Sequence, residues 1–368
     1  MASGYGDNIS VSIFGQSHSN GIGVCIDGLI PGQKIDIDEL NAFLKRRAPG
    51  LNSYSTPRKE GDEFEILSGV VDNVTCGAPF CAIIKNKNQH SKDYSELKDK
   101  PRPAHADMTA EIKYKGFQDV AGGGHFSGRL TAPLCIAGGI CKQYLKSKGI
   151  EIGAHIYSIG DVSDTPYDMV NVSSNKNNQD ILGSYLYPKD DFPVLDTNVK
   201  EKMITLIEEK KNEQDSIGGI IECAITGLPI GLGSPMFDGV EGKIASIVFG
   251  VPAVKAIEFG NGFECSKISG SVNNDEFYYD KEGNIKTKTN NSGGILGGIS
   301  NGMPIVFRVA MKPTPSIAKQ QNTISFSNKE NAKLSIVGRH DPCIVPRAVP
   351  VIESAAAIAI YDMLLDYI

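Results

Sequence analysis

The chain has 368 residues, 40% of them hydrophobic and 22% charged, with a formal net charge of −6. That is the composition of a soluble globular protein with a sizeable core, long enough for two or three domains. The acidic balance argues against general binding to nucleic acid or to an anionic membrane. No run of about eighteen apolar residues is present, so no membrane span is predicted.

The opening MASGYGDNIS has neither the basic flank nor the apolar stretch of a signal peptide. Residues 9–30 alternate short apolar runs around GQSHSNGIG and read as strand, loop, strand. Residues 36–47 read as a helix with Ile37, Leu40, Phe43 and Leu44 on one face. Arg46 and Arg47 fill its last turn, and Ala-Pro-Gly stops it. FEILSGVVDNVTCGAPFCAIIKN (64–86) predicts a pair of strands, and 87–107 a polar loop ending in RPAHAD. The triple glycine 122–124 leads into a helix predicted over 127–147, with Leu130, Leu134, Ala137, Cys141 and Leu145 inward. Residues 161–195 are polar and irregular. An amphipathic helix follows at 197–212, with Val199, Met203, Leu206 and Ile207 inward.

Strands are expected near 217–226 and 254–259, around a helix near 241–250. The polar stretch 266–291 reads as a long mobile loop. After it come SGGILGGISNGMP, a strand at 304–311, KPTPSI, then GRHDPCIVPRAVP and a closing helix at 349–367. No fixed-period repeat, low-complexity tract or linker interrupts the chain. The motifs are spread over its whole length, which predicts one α/β domain, 1–368, whose loops converge on one site.

The cations show what that site is for. There are eight arginines against twenty-nine lysines, so lysine is the default and arginine marks places that need a planar fork for carboxylate or phosphate. Seven of the eight (Arg46, Arg47, Arg58, Arg102, Arg129, Arg339, Arg347) lie in Gly/Pro-punctuated segments; only Arg308 sits in a strand-like run. Four of six histidines (His18, His105, His125, His340) keep the same company. This predicts a local cationic pocket with proton-transfer groups, suited to a small polyanion.

Each segment has a plainer reading beside the functional one. His18, with Ser17, sits in a Gly-flanked turn and is either a proton donor or a solvated imidazole. His105 is held between prolines beside Asp107, as an oriented acid or as part of a capped loop. GGGHFSGR offers backbone amides and Arg129 to an anion, or is a glycine hinge. SGGILGGISNG and KPTPSI offer glycine surfaces for a flat ligand and Lys312, Thr314 and Ser316 for a phosphate, or are tight turns. Asp341 accepts a proton or braces an arginine. The eight cysteines (Cys25, Cys76, Cys81, Cys135, Cys141, Cys223, Cys265, Cys343) show no CxxC pair and read as reduced thiols, mostly in the core, of a cytoplasmic protein. No metal-ligand spacing appears.

Taken in order, FGQSHSNGIGVCIDGLIPG, LKRRAPG, TPRKEGDEFEILSGV, SKDYSELKDKPRPAHAD, GGGHFSGRLTAP, DSIGG, SGGILGGISNGMPI, KPTPSI and GRHDPCIVPRAVPVIES closely resemble the chorismate synthase family, from about residue 8 to the C-terminus. The resemblance implies a 1,4-anti elimination of phosphate from 5-enolpyruvylshikimate 3-phosphate to give chorismate. It also implies reduced FMN without net redox change, and NADPH or an external flavin reductase as the source of electrons. It implies an α+β fold, a β-α-β sandwich with helices between two antiparallel sheets, assembled as a homotetramer.

By the same matching His18 protonates the leaving phosphate, His105 the reduced flavin, and Asp341 acts near flavin N5. Ser17 and Ser127 assist proton relay. Arg46, Arg47, Arg129 and Arg347 are the substrate-anion residues. The FMN contacts are His125, Phe126, Ser127, Pro252, Ala253, Gly297, Lys312, Pro313, Thr314, Pro315, Ser316 and Arg339.

The chain departs from the family pattern at four places. Gly-Glu-Ser-His-Gly is Gly15-Gln16-Ser17-His18-Ser19. The glycine before the second histidine is Ala104. Arg-Ser-Ser-Ala-Arg is His125-Phe126-Ser127-Gly128-Arg129. A family arginine is Ser53. Other readings are a flavin-dependent oxidoreductase, which lacks a dinucleotide fingerprint here, and a non-catalytic phosphometabolite binder, against which His18, His105 and Asp341 argue. A purely structural α/β protein leaves the arginine placement without a reason.

Overall fold

The computed structural model describes residues 3–50, 61–86, 96–167, 191–336 and 341–367. Two five-stranded antiparallel sheets face each other across a layer of helices. The first contains β1 (Gly4–Tyr5), β2 (Ser10–Gly15), β3 (Gly21–Asp27), β4 (Phe64–Ser68) and β5 (Phe80–Lys85), in the order β1-β2-β3-β5-β4. The second contains β6 (Glu151–Ile159), β7 (Val162–Ser163), β8 (Gly219–Thr226), β9 (Val254–Phe259) and β10 (Ile305–Met311), in the order β9-β10-β8-β6-β7.

The two-residue period selects the inner face of the first sheet. Ile22, Val24 and Ile26 of β3 are buried, and register pairs them with Ile84, Ala82 and Phe80, also buried. Helix α1 (Ile37–Arg47) is capped by the Asp36 carboxylate, which accepts from the Glu39 amide, and it buries Leu40, Phe43 and Leu44. A short helix α2 (Asp107–Lys113) follows RPAHA.

Helix α3 (Thr131–Ser147) packs on β3 and β5, while the closing helix α6 (Val345–Tyr367) packs on β6 and β8; the two helices pack on each other. They meet closely at Gly138, where a Cβ would stand 2.2 Å from the Ser354 Cβ. Helices α4 (Thr197–Asn212) and α5 (Val240–Val248) complete the set, with α5 against α6. A helix in the middle layer has core on every side, so α3 is buried continuously from Thr131 to Cys141 instead of along one stripe. α6 is long and apolar enough to cross a membrane, but 94% of that window is buried inside the protein, as befits a central core helix.

Three expectations change. The helix after the triple glycine begins at Thr131, not 127, because Gly128–Leu130 forms a separate 3₁₀ turn after Ser127. The closing helix begins at Val345, not 349: Pro346 falls in the first turn, where a missing N–H costs nothing, and Pro350 is carried inside the helix. The stretch 266–291 is not a structureless loop. It contains a short helix at Gly270–Asn273 and a hairpin of Phe277–Tyr279 with Ile285–Thr287. Its polar residues tie it together: the Asp275 carboxylate accepts from the amides of Asn291 (2.7 Å) and Ser292 (2.9 Å) and from the Thr289 hydroxyl (2.7 Å).

Candidate active site

A cavity of about 1130 Å³ opens where α1 ends, α6 begins, the Gly-rich strap 121–126 crosses, and the turn after α5 meets β10. Arg47, Arg102, Arg129, Lys255, Lys312 and Arg347 line it, against the carboxylates of Asp119 and Asp341. Arg47, Arg102 and Arg129 are buried, Lys312 and Arg347 half-buried and Lys255 exposed, and buried cations are unfavourable unless anions complete them.

The two arginines ending α1 part company, because consecutive helical residues point about 100° apart. Arg46 forks onto Glu353 of α6 (3.0 and 2.6 Å), which also receives Lys142, and its guanidinium lies 5.5 Å from the Phe43 ring. Arg47 turns into the cavity wall. Its Nε donates to Asp62 (2.9 Å), its Nη2 donates to the same carboxylate oxygen, and its Nη1 donates to Thr131 Oγ1 (3.3 Å). Arg129 donates to the other oxygen of Asp62. Burial pushes the Asp62 carboxyl up, but Arg47 and Arg129 outweigh burial and hold it below the usual carboxylate range. Arg347 donates through Nη1 to Asp341 and through Nε to the Arg47 carbonyl (3.0 Å), which links α6 to α1.

The strap packs against two histidines, His18 and His105. Gly122, Gly123 and Gly124 all have φ between 53° and 89°, a region that glycine enters freely. A Cβ on Gly122 would stand 2.2 Å from His18 Cε1 and 2.8 Å from Ser17 Oγ; one on Gly123 would stand 3.2 Å from His105 Nε2. The strap therefore runs between the two rings. The Ser17 amide donates to the Gly124 carbonyl (3.0 Å), and His18 Nδ1 meets Ser17 Oγ at 3.1 Å. His105 stands on the cavity wall; Ser17 and His18 are not on it, although Gln16 and Gly122 are.

Around His105 the geometry sets the tautomer. Its Nδ1 lies 2.6 Å from Asp107 Oδ1 and 3.1 Å from Arg102 Nη2; the carboxylate is the nearer partner and can only accept, so Nδ1 donates to it and Nε2 is left for other partners. Asp107 is in turn clamped by Arg102 Nε (2.7 Å) and Nη2 (2.8 Å), and Arg102 Nη1 donates to Ser316 Oγ (3.2 Å). Burial raises the Asp107 carboxyl, but Arg102 and His105 together hold it well below the usual range. Ala104, where the family pattern has glycine, has φ 59°, and its carbonyl accepts from Lys312 Nζ. The Lys312 amide donates to the Ala253 carbonyl (2.9 Å), and Ala253 has φ 75°. Burial and then Lys255 lower the Lys312 pKa. His125 Nδ1 donates to the Gly15 carbonyl (2.8 Å), and in the neutral ring Nε2 accepts from Ser3 Oγ (2.8 Å). Thr314 Oγ1 is buried without a hydrogen-bond partner among the described residues.

A profile of the family described as chorismate synthase matches residues 9–365. The chain belongs to the chorismate synthase family. It is 42% identical over 365 residues to a chorismate synthase of Dehalococcoides mccartyi, covering 99% of this chain and 97% of that one. The chorismate synthase of Synechocystis is 43% identical, covering 100% and 98%, and that of Methanocaldococcus jannaschii 42% identical, covering 98% and 96%. A solved crystal structure of chorismate synthase superposes with a TM-score of 0.77 at 29% identity, over 99% of this chain and 93% of that one.

Of the sequence-predicted residues, the cavity gathers His105, Asp341, Ser127, Arg47, Arg129, Arg347, His125, Phe126, Pro252, Ala253, Lys312, Thr314, Pro315 and Ser316. Arg46, Pro313 and Gly297 are outside its lining. Arg46 is turned to Glu353. Pro313 packs at Gly218, whose Cβ would stand 3.1 Å from the proline Cδ. Gly297 forms the turn of the hairpin joining Ile295–Leu296 to Ile299–Ser300. Arg339, with Arg58, His340 and Ser53, lies outside the described residues. The reading of the motifs did not single out Asp62, Lys255 or Thr131. Asp62 had a local signal, an acid following Lys-Glu-Gly inside an arginine-bearing segment, but nothing in the segment says what it faces.

Proposed function

We propose that this cavity binds 5-enolpyruvylshikimate 3-phosphate together with reduced FMN, and that the chain converts the former to chorismate by 1,4-anti elimination of phosphate. The observation that carries the reading is the wall itself: among the described residues, six cations meet Asp119 and Asp341 on the wall and Asp62 and Asp107 behind it, a surplus of two, on a chain of net charge −6. The substrate brings two carboxylates and a phosphate, and FMN a further phosphate, so the ligands supply the missing negative charge.

Arg47, Arg129 and Arg347 are assigned to the substrate anions. The flavin is assigned to the surface made by His125, Phe126, Ser127, Pro252, Ala253 and Lys312 with Thr314 to Ser316. The residues there suit it. Thr314 offers a buried hydroxyl without a partner among the described residues, Lys312 and Lys255 offer charge, and Phe126 offers an aromatic face on the wall. Reduced FMN, when bound, lends electron density and recovers it, which is why the elimination has no net redox change. His105, with Nδ1 held by Asp107, presents Nε2 for proton exchange with the flavin. Asp341, paired with Arg347, is the proton acceptor. His18, kept next to Ser17 behind Gly122, protonates the departing phosphate. One domain spanning 1–368, a homotetramer and a cytoplasmic setting with NADPH or an external reductase as electron source belong to the same proposal.

The test is an anaerobic assay of purified protein with chemically reduced FMN and 5-enolpyruvylshikimate 3-phosphate, following chorismate and inorganic phosphate. Equal release of both, dependent on reduced flavin, is expected. Product without flavin, or none when both ligands are bound, overturns the reading. Replacing the reductant by NADPH with oxidised FMN separates intrinsic from external reduction.

A further inference from the structure

Resting on the proposed function above, we infer that Asp62 is a positioning residue that holds Arg47 and Arg129 as one preorganised anion-binding pair. The Asp62 side chain is 0% exposed, and one guanidinium occupies each of its oxygens. The link closes on itself through Thr131, which accepts from Arg47 Nη1 (3.3 Å) and donates to the Gly128 carbonyl (2.6 Å) in the turn that carries Arg129. Two cations on one wall repel each other, and a carboxylate between them removes that repulsion while fixing both forks. The pair then has a formal charge of +1 instead of +2. The backbone of Asp62 has φ 48°, a left-handed conformation that a non-glycine residue adopts at a cost, consistent with a carboxylate placed for a purpose.

The carboxylate has two separable effects. It sets geometry, which a shaped ligand requires, and it lowers positive charge, which a plain anion does not require. In Asp62→Asn, a variant of the same shape, the amide nitrogen faces a guanidinium donor, so one fork is released while the net charge rises. The KM for 5-enolpyruvylshikimate 3-phosphate is expected to rise about ten-fold or more, the scale of one lost charge-assisted hydrogen bond. Inorganic phosphate, used as a probe in thermal melts, is expected to stabilise the variant more than the wild type. A residue that merely maintained the fold would not move these two readouts in opposite directions.

A folded Asp62→Asn with wild-type KM and wild-type phosphate response overturns the inference. If that variant does not fold, Thr131→Val, which cuts only the Arg47–Thr131–Gly128 link, is expected to raise KM a few-fold without changing the phosphate response. An unchanged KM there overturns the inference equally. A wild-type protein with no turnover at all tells against the proposed function instead, and the phosphate melts still report on Asp62.

Discussion

Two buried charge networks in this molecule are built from similar residues and do opposite things. Beside the cavity, Asp62 and Asp341 serve three arginines, and the wall keeps a cationic excess. Across the second sheet, Glu258, Arg308, Glu222 and His155 alternate in sign over the neighbouring strands β9, β10, β8 and β6. There His155 meets Asp164 at Nδ1 (3.1 Å) and Glu222 at Nε2 (3.0 Å), and Arg308 donates to Glu222 (2.8 Å). The amides of Thr165, Leu195 and Asp196 donate to Asp164, and that of Tyr167 to Glu222. Buried charge whose hydrogen bonds all close within a sheet is architecture, whereas a cationic surplus on a cavity wall is the kind of arrangement that suits an anionic ligand.

The largest effect that could break this distinction is at the cavity. His105→Ala should lower turnover by about a hundred- to ten-thousand-fold, the range for a general acid or base, with little change in melting temperature. Near-normal turnover would remove His105 from the chemistry.

The sheet network should respond the other way. Glu222→Gln breaks a buried pair and should cost about 3–5 kcal/mol of stability, with kcat unchanged in the protein that remains folded. A loss of kcat with unchanged stability would mean that the network serves the site. Its pH signature sharpens the contrast. Burial lowers the His155 pKa, but Asp164 and Glu222 outweigh burial and raise it above 6.5. Its stabilisation is therefore fully present below that value and is lost as pH rises through the folded pKa. Asp164, Asp62 and Asp107 have lowered pKa values, so their stabilisation is present above the ordinary carboxylate range and is lost as pH falls. The sheet network thus weakens on both sides, and the cavity carboxylates only on the acid side. Melting temperature followed across pH for the wild type and Glu222→Gln should show a shallower alkaline limb in the variant.

Gly122→Ala places a methyl group where His18 stands and should reduce turnover about a hundred-fold, the usual consequence of displacing a reacting group by an ångström. Full turnover in a folded variant would take His18 out of the reaction. The smallest effect is at Ala104: glycine there relieves a left-handed backbone and should stabilise the protein by about 1 kcal/mol at most. An unchanged or lower melting temperature would show that this conformation is not strained.

Local pattern was enough for the elements whose environment is one-sided. Helix α1 and helix α4 lie within a residue or two of their expected bounds, and β2 and β3 fall within the strand, loop and strand expected over 9–30, with β3 starting inside the glycine turn, because each has one apolar face and clear stop signals. It was not enough for α3 and α6. A helix packed from both sides has no polar stripe to mark its limits, and prolines near its start read as a break. The polar arm 266–291 read as a loop because its order comes from carboxylate caps such as Asp275 and not from an apolar face.

Arginine placement and the histidine segments, read from the chain alone, pointed to a polyanion site, and the ordered motifs from about residue 8 onward carried the resemblance to the family. Which arginine faces the cavity was decided only in three dimensions. Arg46 and Arg47 are adjacent and chemically identical, and their roles diverge because Glu353, from the far end of the chain, waits on one side of α1 and Asp62 on the other. Side-chain chemistry is written residue by residue, whereas the partner that completes a buried charge is supplied by whatever the fold brings within about 3 Å of it.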